Sequence, residues 1–196
     1  IGTVTDPYNE YEEKYRITRK VMEQLVCAET HISVVTKSKL VLRDIDLFKK
    51  MKDVEIVISL SVLDEGIRKK IELNSSTIEE GLETWIVWGE FGIRTVVFVA
   101  PIIPEITDFK RIIEVTKDFT DEYWFDKLNL RSSFKTNMFD FIEKNFPIYK
   151  TIYDDIYKKN NSQYFDEISA EIEKYCVQNS IKYTDFYAGH KLLLDK

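Results

Sequence analysis

Thr5, Asp6, Lys37, Ser59, Ser61 and Asn129 stand where short apolar runs give way to polar sequence. Together they offer hydroxyls, a carboxylate, an ammonium and a carboxamide. That set suits holding a polar small molecule, such as an amino acid or a nucleoside. It is not a hydrolytic set. No Ser-His-Asp ordering stands out, and neither a G-x-S-x-G elbow nor a glycine-rich phosphate loop is present. His31 and His190 are isolated in the sequence and read as structural or solvated side chains. No Cys/His cluster has zinc spacing. The sequence singles out no catalytic residue.

The elements that must position these groups are five short runs: Gly2 to Tyr8, Ile32 to Ser38, Val54 to Ser61, Thr95 to Pro101 and Tyr123 to Asn129. A helix-like stretch separates each from the next. Repeated strand-helix units build a parallel sheet or barrel, with their chemistry at the C-terminal strand ends. The helical stretches are expected over Glu10 to Leu25, with an apolar face of Ile17, Val21, Met22 and Leu25, and over Leu42 to Met51. Thr77 with Glu80 spells a capping box after an Asn74 to Thr77 loop, and Gly92 ends the helix it opens. Ile106 to Lys117 follows, with Thr107 as the expected cap. Beyond Ser132 the pattern is helical, with no strand expected. The organisation predicted is a β/α unit over 1–132 and a helical extension over 133–196, packed on it as a cap.

At 196 residues, with 44% hydrophobic and 32% charged residues, the chain has the composition of a globular protein. A net charge of −6 argues against a broad phosphate-binding surface. Tyr8, Tyr11, Tyr123, Trp124, Tyr164 and Tyr187 have no basic stripe beside them, so they read as core or rim residues rather than base-stacking platforms. No apolar run is long enough to span a membrane. Cys27 and Cys176 cannot form a disulfide framework, and a reducing, cytoplasmic setting is expected.

Several of these segments also carry a resemblance. They are Gly2 to Tyr8 with Glu12, Val35-Thr36-Lys37-Ser38 with Leu42-Arg43-Asp44-Ile45-Asp46-Leu47, and Ser59-Leu60-Ser61 with Leu63-Asp64-Glu65. Gly92 to Pro104 and Lys127-Leu128-Asn129-Leu130-Arg131 complete the set. In order and spacing they resemble radical S-adenosylmethionine proteins of the spore photoproduct lyase-like group, often labelled DNA repair photolyase. The resemblance runs from residue 1 to about residue 150, and more weakly to Phe186.

It implies a partial (βα)6 barrel. In that family a loop after the first strand carries C-x3-C-x2-C, whose thiolates hold a [4Fe-4S] cluster. The cluster binds S-adenosylmethionine and cleaves it reductively to a 5'-deoxyadenosyl radical. By the resemblance, Thr5 and Asp6 sit beside the methionine amino group, and Lys37 meets the carboxylate or ribose hydroxyls. Ser59 and Ser61 contact the ribose, the backbone at Val99 and Ala100 lies against adenine, and Asn129 closes the pocket. A substrate related to nucleic acid is implied by family analogy alone.

The chain departs from the pattern. It has no C-x3-C-x2-C, so an N-terminal segment with the first family strand is expected to be missing. Neither cluster nor S-adenosylmethionine is expected on this chain alone. Without that strand, the Gly2 to Asp6 run is expected as an exposed edge that invites a homodimer. Glu72 is kept, but Leu73 replaces a proline, Gly81 an arginine and Glu105 a glycine. Two other readings stand beside an enzyme fragment with an unknown substrate. One is a non-catalytic β/α scaffold for protein interaction. The other is a metal-independent enzyme using Asp6 and Lys37 as acid and base.

Overall fold

A computed structural model describes residues 1–71, 77–130 and 132–192. Glu72, Leu73, the Asn74 to Ser76 loop and Arg131 lie outside the described residues, as does the His190 side chain. The architecture is α/β. One six-stranded sheet has the order β1 (Ile32–Thr36), β2 (Val54–Ser59), β3 (Arg94–Ile102), β4 (Glu122–Lys127), β5 (Tyr183–Asp185), β6 (His190–Leu192). The first five strands are parallel, and β6 runs antiparallel to β5. Strand order follows chain order, and right-handed crossovers then place the connecting helices on one face.

The register sorts the side chains by face. Ile32, Val34, Ile56, Ile58, Val97, Val99, Tyr123, Phe125 and Tyr183 point to the helical side and join one core. Packed on them are α2 (Ile17–Leu25) through Met22, α3 (Ile45–Phe48) through Phe48, and α5 (Ile78–Glu90) through Trp88. On the same side lie α6 (Phe109–Thr116) through Ile112, and α9 (Gln163–Gln178) through Phe165 and Ile172. A second, smaller core caps the C-terminal strand ends. There Val62, Ile103 and Leu128 meet Met138 and Ile142 of α7 (Ser132–Asn145) and Tyr153 of α8 (Lys150–Tyr157). The α4 helix (Glu65–Ile71) adds Ile67 and Ile71 to its edge. Among the described residues no helix is long and apolar enough to cross a membrane.

The structure corrects the sequence reading at several points. The Gly2 to Asp6 strand does not form. The Ile1 ammonium donates to the Ser33 carbonyl at 2.7 Å, and the Val35 N–H donates to the Ile1 carbonyl at 2.8 Å, a parallel-ladder pattern one residue long. Gly2 then turns away at φ +95°, where a Cβ would lie 2.2 Å from the Val35 oxygen. The outer sheet edge is therefore β1, with its Ser33 and Val35 groups already engaged by Ile1.

The Glu10 to Leu25 helix is broken. α1 (Glu12–Tyr15) ends at Arg16, which is left-handed at φ 51°. The break resets the phase of α2, so Thr18 and Met22 are buried while Ile17 and Val21 are 64% and 44% exposed. Glu12 caps the new helix, accepting from the Thr18 N–H at 2.8 Å and the Arg19 N–H at 3.2 Å. The expected Leu42 to Met51 helix is a 3-10 turn, Lys39–Asp44, followed by the short α3. Asp108, not Thr107, caps α6. The C-terminal region is not wholly helical: Tyr183 to Asp185 returns to the sheet beside β4. The capping box at Thr77 and Glu80 forms as expected.

Candidate functional site

The C-terminal strand ends and the turn at 2–6 border an open cavity of about 490 Å³. Thr5, Asp6, Lys37, Ser59, Ala100 and Asn129 all line it. Six of the eight residues singled out by sequence thus converge. The other two do not. Val99 is fully buried and faces the helical core, because its strand position alternates with Phe98 and Ala100. Ser61 is also buried, and its carbonyl accepts from Thr107 Oγ1 at 2.8 Å.

Asp6 is a clamp. Its Oδ1 accepts from Thr36 Oγ1 at 2.7 Å and from the Tyr8 N–H at 2.8 Å, and its Oδ2 accepts from the Lys37 N–H at 2.8 Å. These bonds tie the turn to the end of β1 and fix the backbone from which Lys37 projects. Lys37 lines both this cavity and an adjoining groove of about 870 Å³. The Ser59 and Ser61 hydroxyls both donate to the Ala100 carbonyl, at 3.0 and 2.8 Å. Having donated its hydrogen, the Ser59 hydroxyl in the cavity lining can still accept.

Glu12, Arg43, Asp44 and Asp46 belong to a polar network beside the site. Arg43 pairs with Glu12 at 2.7 Å and Asp44 at 2.8 Å, and Arg19 with Asp44 and Asp46 at 2.9 Å each. The Tyr8 hydroxyl donates to Asp44 at 3.1 Å. Burial alone would raise the Glu12 and Asp44 carboxyls, but their hydrogen bonds outweigh it and hold both below the usual range.

Sequence reasoning missed Asp126, Phe98 and Phe134, which line the same cavity. Asp126 follows Trp124 by two in β4, so strand alternation places it on the cavity face. Burial pushes its carboxyl upward, Asp185 adds to this, and Lys127 opposes it. Farther down this face, Phe98, Trp124 and Phe186 pack edge to face with centroids 5.6 to 6.0 Å apart. At the opposite strand ends, Arg94 bridges the buried Glu55 and Glu122. Trp124 Nε1 and Thr184 Oγ1 each donate to Glu122 at 2.9 Å. His31 sets Nδ1 against Asp53 at 2.9 Å and Nε2 against Glu55 at 3.2 Å, as a structural histidine should.

Among the described residues no group of three His, Cys, Asp or Glu side chains could hold a metal ion. Cys27 is exposed, and burial pushes the Cys176 thiol up to about 12.

Three relatives of this chain each bear the name uncharacterized protein. One from Methanocaldococcus jannaschii is 33% identical over 175 residues, a match covering 89% of this chain and 65% of that protein. One from Mycobacterium tuberculosis is 30% identical over 111 residues, covering 55% of this chain and 33% of that protein. A protein of Acidianus two-tailed virus is 33% identical over 105 residues, covering 53% and 34%. The chain thus spans less than two thirds of the length of each of these relatives. No protein-family model and no solved structure matches it.

Proposed function

We propose that this chain is the cofactor-contacting part of a radical S-adenosylmethionine enzyme of the spore photoproduct lyase-like group. The observation that carries this reading is the convergence of Thr5, Asp6, Lys37, Ser59, Ala100 and Asn129 on one cavity. They are six of the eight residues that the resemblance assigns to S-adenosylmethionine, Ser61 and Val99 being the other two. The parallel strands in chain order support a partial barrel as its frame.

The residues fit the nucleoside and amino-acid parts of the cofactor. Lys37 supplies a compact three-donor ammonium for a carboxylate or ribose hydroxyls. Ser59 offers acceptor lone pairs, Asn129 a carboxamide at the rim, and Asp6 holds the Lys37 backbone in place. S-adenosylmethionine held by these residues would supply radical chemistry, with the electron coming from a cluster outside this chain's own residues. A [4Fe-4S] cluster does not fit this chain's own residues, since Cys27 and Cys176 are a surface and a core thiol. A cavity built from the chain's own side chains supports nucleoside binding without the cluster, in keeping with the polar set at the strand ends. The substrate's link to nucleic acid rests on the resemblance.

Calorimetric titration of the full chain with S-adenosylmethionine tests the proposal. Binding at a Kd of about 1 mM or tighter, roughly 4 kcal/mol, is expected, weakened about tenfold or more by Lys37→Ala. A folded chain that shows no saturable binding overturns it. The scaffold reading draws on the internal engagement of Asp6, Ser59 and Ser61 by other protein groups, and that same negative result would favour it. The acid-base reading loses ground because the Asp6 carboxylate is committed to three donors.

A further inference from the structure

A second open cavity, of about 260 Å³, lies between the end of β4 and the helices that cap it. It shares Lys127, Leu128 and Asn129 with the candidate cofactor cavity. Lys127 and Lys135 both line it, and among the described residues no aspartate or glutamate does. That reverses the balance of a chain with net charge −6. The carboxylates on the adjoining elements are engaged elsewhere. Asp155 accepts from Lys159 at 2.9 Å and from Asn161 at 2.7 Å. Asp166 accepts from the Tyr187 hydroxyl at 2.6 Å and the Ser162 hydroxyl at 2.8 Å. Asp126 and Asp166 feel the Lys127 charge, but among the described residues no carboxylate forms an ion pair with Lys127 or Lys135.

The donors have capacity to spare. The Lys135 ammonium donates to the Tyr157 carbonyl at 2.5 Å, which leaves two of its three N–H groups. The Lys127 ammonium rests over the Tyr187 and Phe165 rings, with centroids 4.0 and 5.6 Å away, and donates no hydrogen bond among the described residues. Leu128, Ile156 and Phe165 are buried and form the apolar wall. Two ammoniums beside apolar walls repel each other and lose hydration unless an anion joins them. The kind of anion follows from the donors. Arginine's planar fork matches a carboxylate, and among the described residues no arginine lines the cavity. Lysine acts as a point charge and suits the terminal oxygens of a phosphate. A phosphate monoester carries close to two negative charges at neutral pH, which matches two ammoniums. The small volume and the acidic chain around it suit one phosphate on a small molecule, not the phosphodiester track of a nucleic acid. We propose that the cavity between Lys127 and Lys135 binds the phosphate monoester group of a small molecule. Because the cavity adjoins the cofactor site, that molecule is the substrate, a step that rests on the cofactor reading above.

Calorimetry on the full chain in phosphate-free buffer tests this with three probes. They are inorganic phosphate, glycerol 3-phosphate and a short oligothymidylate without terminal phosphates. Wild type is expected to bind the first two saturably, at a Kd of about 1 mM or tighter, and the oligonucleotide more weakly. Lys127→Gln and Lys135→Gln should each weaken glycerol 3-phosphate about tenfold. Lys127→Gln leaves the Lys135 bond to Tyr157 intact, and circular dichroism reports whether each variant is folded. Folded wild type that shows no saturable phosphate binding overturns the proposal. Binding unaltered in both folded variants places the anion elsewhere and overturns it too. Tighter binding of the oligonucleotide than of glycerol 3-phosphate would make this a nucleic-acid contact, and so also overturn it. Parallel titration with S-adenosylmethionine separates the two readings. Absent phosphate binding with cofactor binding retained strikes this inference alone. Absent cofactor binding with phosphate binding retained strikes the cofactor reading, and the substrate assignment with it, and leaves the phosphate cavity standing.

Discussion

His31 sets both ring nitrogens against carboxylates, Asp53 and Glu55. A neutral imidazole has a single N–H, so only the imidazolium satisfies both. The hydrogen bond to Asp53 raises its pKa above the usual histidine value, burial opposes this, and Glu55 adds to it. A raised folded-state pKa gives stability that is full below the unfolded value near 6.5 and is lost as pH rises through the folded value. Wild type is therefore expected to exceed His31→Asn in stability at pH 5.5 by at most about 1 kcal/mol, the ceiling for a half-exposed pair. The gap should shrink as pH rises above the unfolded value, as urea melts at several pH values would report. A gap that widens with pH would contradict the imidazolium. The same scale shows what the sequence made legible. Asp6, Lys37, Ser59 and Asn129 could be read because each ends an apolar run. Asp126 went unread because a run taken as a block does not say which side chains share a face; alternation along β4 sets it on the cavity side with Trp124.

Elements are held by charges that look like surface motif in the sequence. Arg43 joins Glu12, which caps α2, to Asp44, which is fully buried at the end of the 3-10 turn. Arg43→Ala removes the Arg43 ion pair from both Glu12, which keeps its backbone donors, and Asp44, which keeps Arg19 and the Tyr8 hydroxyl, so a loss of about 3 kcal/mol is expected by chemical denaturation. Glu12 and Asp44 have lowered folded-state pKa values. Their contribution is present above the unfolded values of 4.5 and 3.8, and is lost as pH falls through the folded ones. Acid unfolding should accordingly begin at higher pH in Arg43→Ala than in wild type. An unchanged acid midpoint would make the network dispensable. Strands β1 to β4 were readable from β-branched and aromatic runs, whereas β5 was not. Three residues, Tyr183 to Asp185, carry too little periodicity, and their strand conformation comes from pairing with β4, distant in sequence. Nor does Arg16 announce the break between α1 and α2, because a left-handed arginine has no local signature.

At the scale of the whole molecule, the helical layer protects one face and the strand ends carry the cavity. Val97 and Phe125 lie in central strands under helices and are buried completely. Native-state hydrogen exchange should find their amides among the slowest, with β1 and β6 exchanging faster as edge strands. Comparable protection across all six strands would contradict this layering. Chain-order adjacency also shapes how the molecule assembles. Each of the first four strands finds its partner one crossover away, a short search that closes small loops in succession. The β4–β5 pairing instead spans all of α7, α8 and α9, and pays a larger closure entropy. Folding should thus run from the N-terminal strands outward. β5 and α9 dock last, and until they do the far flank of β4 remains an unpaired edge open to intermolecular association.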